Sequence, residues 1–278
     1  MKHEIISTDR GRVLMLTDGK TQVGAALDFG IRVVHLSCAG MENLYYEQPA
    51  DCSDGYTEKT GWRLYGGHRL WLAPESEKSY APDNDPVSCT LTENGVILEQ
   101  KTDPFLLLRK RLSVNFEPDG SIRVEHRIEN AGDTPVTGAS WGVNTLSGGG
   151  TATIPFPNDK AVSVFNPSRC ISLWGDTDPH DPRLHFTKDS LTATFLPASE
   201  YLKLGLYVHA GQAVLENKGQ RLHISFGVPA MAECPDNGCN FELFMCQNFM
   251  ELETLGARKT IAPGEAVSHT EYWKLEKL

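Results

Sequence analysis

Ten consecutive residues, Gly66-Gly67-His68-Arg69-Leu70-Trp71-Leu72-Ala73-Pro74-Glu75, gather an imidazole, a guanidinium, an indole and a carboxylate behind a pair of glycines. Glycine permits positive φ and removes side-chain bulk, so a backbone built this way can approach a ligand closely. Arg69 offers a rigid fork of donors for a hydroxyl, carboxylate or phosphate, or for a structural partner such as Glu75. Trp71 offers a flat apolar face, for stacking on a ligand or for filling a core. His68 titrates in the range useful for proton transfer, while a ring hydrogen-bonded to backbone would be structural. The stretch reads as a loop suited to a polar, oxygen-rich ligand.

A second set of chemical groups lies near the C-terminus. In residues 249–255 strand alternation places Glu251 and Glu253 on one face with Phe249 and Leu255. Two carboxylates on a face otherwise apolar have raised or coupled pKa values, as acid–base sites do; on an exposed sheet edge they would simply be solvated. Lys203, in Tyr201-Leu-Lys-Leu-Gly205, alternates with apolar neighbours, so it either reaches an anionic ligand or snorkels to water. Asn144, in Trp141-Gly-Val-Asn-Thr-Leu146, can hydrogen-bond a hydroxyl but cannot donate a proton near neutral pH. His126 falls on the apolar side of its strand and reads as a satisfied core histidine.

No metal is expected. Cys234-Pro-Asp-Asn-Gly-Cys239 lacks the second pair of a zinc clip, and Asp176-Thr-Asp-Pro-His-Asp181 lacks the spacing and glycine of a calcium loop. Both are ordinary turn sequences.

The elements that must carry these groups are strands. Short β-branched and apolar runs recur with turn signals between them, among them Asp18-Gly19, Asn94-Gly95 and Glu117-Pro-Asp-Gly120. Residues 121–130 alternate most clearly, with Ile122, Val124, His126 and Ile128 on one face and charged residues on the other. Residues 38–61 are polar and irregular, a candidate functional loop, and 81–86 should form a second loop beside 66–75 after one helical turn at 76–80. Residues 151–190, rich in Pro, Asp and Gly, allow only short or edge strands. With almost no helical period, no repeat and no interior linker, the chain reads as one all-β domain over residues 1–278, built from two large antiparallel sheets packed face to face.

Bulk properties narrow the function classes. A formal net charge of -10 argues against a general phosphate-binding surface, so nucleic acid is not an expected partner. The start of the chain is polar and no apolar run reaches the roughly 18 residues of a membrane span. Seven scattered cysteines, an odd number in a long chain, read as reduced. The expected compartment is the cytoplasm.

Three stretches together resemble the galactose mutarotase-like (aldose 1-epimerase-like) superfamily. Tyr65-Gly-Gly-His-Arg-Leu-Trp-Leu-Ala-Pro74 is similar to the loop in which sugar-phosphate mutarotases place a glycine pair and aromatic residues. Val124-Glu-His-Arg-Ile-Glu-Asn-Ala-Gly-Asp-Thr-Pro135 is similar to the strand ending in Asn-x-Gly-Asp. Leu252-Glu-Thr254 followed by Ile261-Ala-Pro-Gly-Glu265 and a terminal strand repeats the C-terminal order. The resemblance runs from about residue 65 to the end and is closest to a bacterial branch carrying Gly-Gly-His-Arg-Leu-Trp.

What the resemblance implies is a large antiparallel β-supersandwich with a sugar site on its concave face, and an aldose 1-epimerase that interconverts anomers without a cofactor. Its base, a Glu on a C-terminal strand, corresponds to Glu253, with Glu251 in support. Its acid is a His on the strand after Asn-x-Gly-Asp, where this sequence has Trp141 to Leu146 and no histidine. The departure leaves His68 as the replacement acid, with Arg69, Trp71, Asn144 and Lys203 as substrate contacts. The expected partner is a small-molecule sugar or sugar derivative. A noncatalytic sugar-binding protein and a structural or assembly domain are the alternatives.

Overall fold

In a computed structural model of the protein, residues 1–49, 52, 56–157, 169–198 and 200–278 are described. The loop expected at 38–61 therefore falls partly outside the described residues, as does the 158–168 portion of the Pro-rich stretch. The strands join into two large antiparallel sheets. Among the described residues the larger has 11 strands, and its centre runs Arg32–Cys38, Gly67–Ala73, Val136–Ser147, Phe249–Leu255, Phe241–Met245, Leu202–Leu206. The second has 10 among the same residues, centred on Gln220–Phe226, Ala266–Lys277, Ile122–Asn130 and Leu108–Phe116.

Several local signals act as read. Asp18-Gly19 and Asn94-Gly95 close hairpins between paired strands, and Glu117–Gly120 joins Leu108–Phe116 to Ile122–Asn130. Along Ile122–Asn130 burial alternates at every residue, so its apolar parity lies against the first sheet and its charged parity in water. The main core between the sheets includes Leu36, Val33, Leu98, Leu112, Val124, Leu222, Ile224, Leu243, Leu252 and Trp273. Residues 76–80 yield a single 3-10 turn, Glu77–Tyr80.

One expectation is corrected here. Residues 67–73 are a central strand of the larger sheet, buried at every position, and not a loop. Strands buried on both faces lose the polar alternation that marks a half-exposed strand, and the glycine pair hid this one further. The glycines are still required: Gly66 and Gly67 have φ of +82° and +75°, and a Cβ would lie 1.9 Å from the Tyr46 carbonyl oxygen or 2.4 Å from that of Val33. Arg32, fully buried, donates to the Gly66 carbonyl (3.1 Å) and to Asp83 Oδ2 (2.6 Å), tying the 81–86 loop to the entrance of this strand.

Candidate functional site

Because neighbouring residues in a strand point to opposite faces, the larger sheet divides the chemistry of 66–75 between two places. Arg69 and Trp71 point away from the other sheet and His68 points toward it. On the outward face the register sets Trp141 beside Trp71, Glu251 beside Thr145 and Phe244, and Glu253 between Val143 and Glu242. Over this face opens a pocket of about 650 Å³, whose lining includes Trp62, Arg69, Trp71, Glu75, Tyr80, Trp141, Lys203, Phe244 and Glu251.

Its wall is aromatic. Trp71 meets Trp62, Tyr80 and Trp141 edge-on, with ring centroids 5.4, 5.1 and 5.5 Å away, the tilted geometry that ring quadrupoles favour. Its floor is ionic. Arg69 Nη1 donates to Thr145 Oγ1 at 2.7 Å and to Glu251 Oε1 at 3.0 Å, while Thr145 Oγ1 also donates to Glu251 Oε1 at 2.7 Å. The same guanidinium lies over the Trp71 ring, 4.4 Å from its centroid, in a cation–π contact.

Lys203 anchors a second ionic group. Its Nζ lies 2.9 Å from Glu242 Oε2, 3.4 Å from Glu253 Oε2 and 3.7 Å from Glu75 Oε2. Burial works against the ammonium, but Glu253, Glu242 and Glu75 together raise Lys203 above its ordinary range, so it stays charged. Glu253 is sealed beneath this group: it is fully buried, its Oε2 accepts from Trp141 Nε1 at 2.9 Å, and its Oε1 has no partner among the described residues. Burial pushes Glu253 up to about 7; Lys203 opposes that and Glu251 adds to it. Burial likewise pushes Glu242 well above the carboxylate range against the pull of Lys203. Glu75 accepts a hydrogen bond from the Tyr80 hydroxyl at 2.5 Å and is the most open of the four carboxylates, its side chain 38% exposed.

The structure thus brings together Arg69, Trp71, Glu251 and Lys203 at the pocket, with Glu253 one layer below them. It does not bring His68 or Asn144 there. Both are fully buried on the inner face, where His68 Nδ1 meets Asn144 Oδ1 at 2.9 Å and His68 Nε2 meets His126 Nε2 at 2.6 Å. The reading of His68 as the acid of the pocket, and of Asn144 as a substrate contact, fails on strand parity: each sits one residue from the parity that faces outward. Burial pushes His68 and His126 down to about 3, so both rings are neutral near pH 7. His126 is a core histidine, as its place on the apolar parity indicated.

Sequence reasoning missed Trp62, Tyr80, Trp141 and Glu242 as parts of the site. Glu242 could have been found, since it is the lone charge in Phe241–Met245. Trp62 comes from the two-residue strand Trp62–Arg63 and Tyr80 from the 3-10 turn Glu77–Tyr80, elements too short for periodicity to place.

The two face-to-face antiparallel sheets form a large β-sandwich whose fold matches that of galactose mutarotase-like proteins. Along its length the chain is similar to the Slr1438 protein from Synechocystis sp. PCC 6803, with 14% identity, TM-score 0.62 and 100% of both chains covered. It is also similar to galactose mutarotase-like proteins from Lactobacillus casei ATCC 334 (11% identity, TM-score 0.56, 95% of this chain and 100% of that one) and Clostridium acetobutylicum (12% identity, TM-score 0.54, 100% and 98%). At these identities the likeness is one of fold. No family model matches the sequence, and no curated protein does. No helix among the described residues is long and apolar enough to cross a membrane.

Proposed function

We propose that the pocket binds a sugar and that the protein is an aldose 1-epimerase-like enzyme acting by acid–base catalysis without a cofactor. The observation that carries this reading is the presence of two carboxylates, Glu251 and Glu75, in the lining of one aromatic-walled pocket roomy enough for a sugar. Mutarotation needs a base to take the anomeric hydroxyl proton while an acid protonates the ring oxygen. The C1–O5 bond then breaks, the open aldehyde rotates about C1–C2, and the ring recloses with the two roles exchanged. Glu251 is the group assigned as base, oriented by Arg69 and Thr145. Glu75, held by Tyr80, is the second carboxyl group of the pair, placed to serve the ring oxygen. Glu253 tunes both through Lys203 and Trp141 from below. The aromatic wall supplies apolar faces for the C–H surface of the sugar.

A noncatalytic sugar-binding protein is the second reading. It is favoured by the lack of an imidazole in the pocket lining among the described residues and by the cations that hold Glu251 and Glu75. The ionic floor gives an assembly role no support. Anomer exchange followed by polarimetry or NMR on a panel of aldoses, uronic acids and sugar phosphates separates the two: acceleration of at least one sugar is expected. If none is accelerated the enzyme reading fails, and binding retained in the same panel selects the second.

A further inference from the structure

The inner face of the larger sheet carries a polar cluster that the pocket does not use. His68 comes from Gly67–Ala73; His126 and Glu271 come from adjacent strands of the other sheet, Ile122–Asn130 and Ala266–Lys277. All three are fully buried, and one ligand atom from each lies within 4.8 Å of the others.

The hydrogen bonds around this cluster fix its protons. Asn144 Nδ2 faces two acceptors, the Leu252 carbonyl and Glu271 Oε2, both at 3.2 Å, so Asn144 Oδ1 is the atom that faces His68. Asn144 Oδ1 already accepts from the Tyr45 hydroxyl at 2.9 Å, and it accepts from His68 Nδ1–H as well. His126 Nδ1 points at the His269 carbonyl oxygen at 3.2 Å, so it too carries a proton. A neutral imidazole protonated at Nδ1 has a bare lone pair at Nε2. Two such lone pairs therefore face each other at 2.6 Å, a contact that repels unless a cation lies between them.

Two further observations concern what that cation is. Glu271 brings a third ligand atom within 4.8 Å of a ring nitrogen of each histidine and is itself oriented by Trp273 Nε1 and Thr254 Oγ1, each at 2.5 Å. Imidazoles that donate their remote N–H to a carbonyl and carboxylates held by outer hydrogen bonds are how proteins orient metal ligands. Opposite them the facing strand has Gly142, where a Cβ would fall 2.5 Å from Glu271 Oε1 and 3.1 Å from His126 Nε2, so any larger residue would fill the space beside the donors.

We propose that His68 Nε2, His126 Nε2 and the Glu271 carboxylate form a buried divalent-metal site that ties the two sheets together, with zinc the ion best suited to two imidazoles and one carboxylate. Zinc holds imidazole nitrogens at roughly 2.0–2.1 Å, which at a tetrahedral angle sets them about 3.3 Å apart, so the rings separate by about 0.7 Å on binding. The site has no opening to the pocket, since His68 and Arg69 lie on opposite faces of one strand, and its role is structural.

The test uses the whole protein made in zinc-supplemented medium. Metal analysis is expected to find about one equivalent of zinc that survives dialysis against a chelator, with the thermal midpoint above that of protein made under zinc depletion. His126→Gln and Glu271→Gln should each lose most of the metal; near-UV circular dichroism separates that loss from misfolding. For the wild type, cobalt substituted for zinc should give visible absorption of a low-coordinate ion. Folded wild type carrying less than about a tenth of an equivalent overturns the proposal. An imidazole nitrogen spectrum showing one proton shared between the two rings overturns it too, by assigning the bridging cation as that proton.

Discussion

Glu253 is fully buried, with one oxygen unpartnered among the described residues and the other shared by Trp141 and Lys203. Its raised pKa links the site to stability. A carboxylate whose pKa rises on folding favours the folded state most when it keeps its proton, so the contribution is complete below the ordinary range near 4.5 and is lost as pH rises through about 7. Urea unfolding should therefore show stability falling between about pH 5 and about pH 8, and Glu253→Gln should flatten that slope. A wild-type profile that stays flat over the same interval would mean that Lys203 keeps Glu253 ionised. At Arg69 the expectation concerns geometry: Arg69→Lys keeps the charge but loses the planar fork and the stack on Trp71. Sugar binding, read by calorimetry, should then weaken roughly tenfold or more.

Among the elements, Gly67–Ala73 shows what was legible and what was not. The residue types in 66–75 identified one side of the pocket, because Arg69 and Trp71 are there. Reading the segment as a loop removes the parity that sends His68 inward; Asn144 lies on a different strand, Val136–Ser147, and turns inward there. By contrast 249–255 was read as a strand, and Glu251 and Glu253 do share its outward face. What alternation cannot show is depth: only Glu251 reaches the pocket, since Trp141 and Lys203 come from other strands to cover Glu253. Arg32 and Asp83 fix the start of Gly67–Ala73, with side chains 0% and 3% exposed. Asp83→Ala leaves a buried guanidinium without its partner and should cost about 3–5 kcal/mol in denaturant unfolding. Trp71→Ala removes the hub of the aromatic wall and should cost about 3–5 kcal/mol as well, by cavity formation.

At the scale of the molecule, two antiparallel sheets packed face to face could be read from turn chemistry and from strands such as Ile122–Asn130, with one buried and one wetter face, while the supersandwich came from the family resemblance. The order of strands in the sheets could not, because the chain crosses between sheets and pairs distant segments, such as Arg32–Cys38 with Gly67–Ala73. The one-domain reading of residues 1–278 predicts a single cooperative transition, with far- and near-UV circular dichroism coinciding during unfolding. The functional account rests on which carboxylate works. Anomer exchange by NMR, on the sugar most accelerated by wild type, measures this directly for Glu251→Gln and Glu253→Gln. The account predicts a loss of about 100-fold or more for Glu251→Gln and a change within about tenfold for Glu253→Gln. Near-wild-type exchange in Glu251→Gln, or the larger loss in Glu253→Gln, would contradict it.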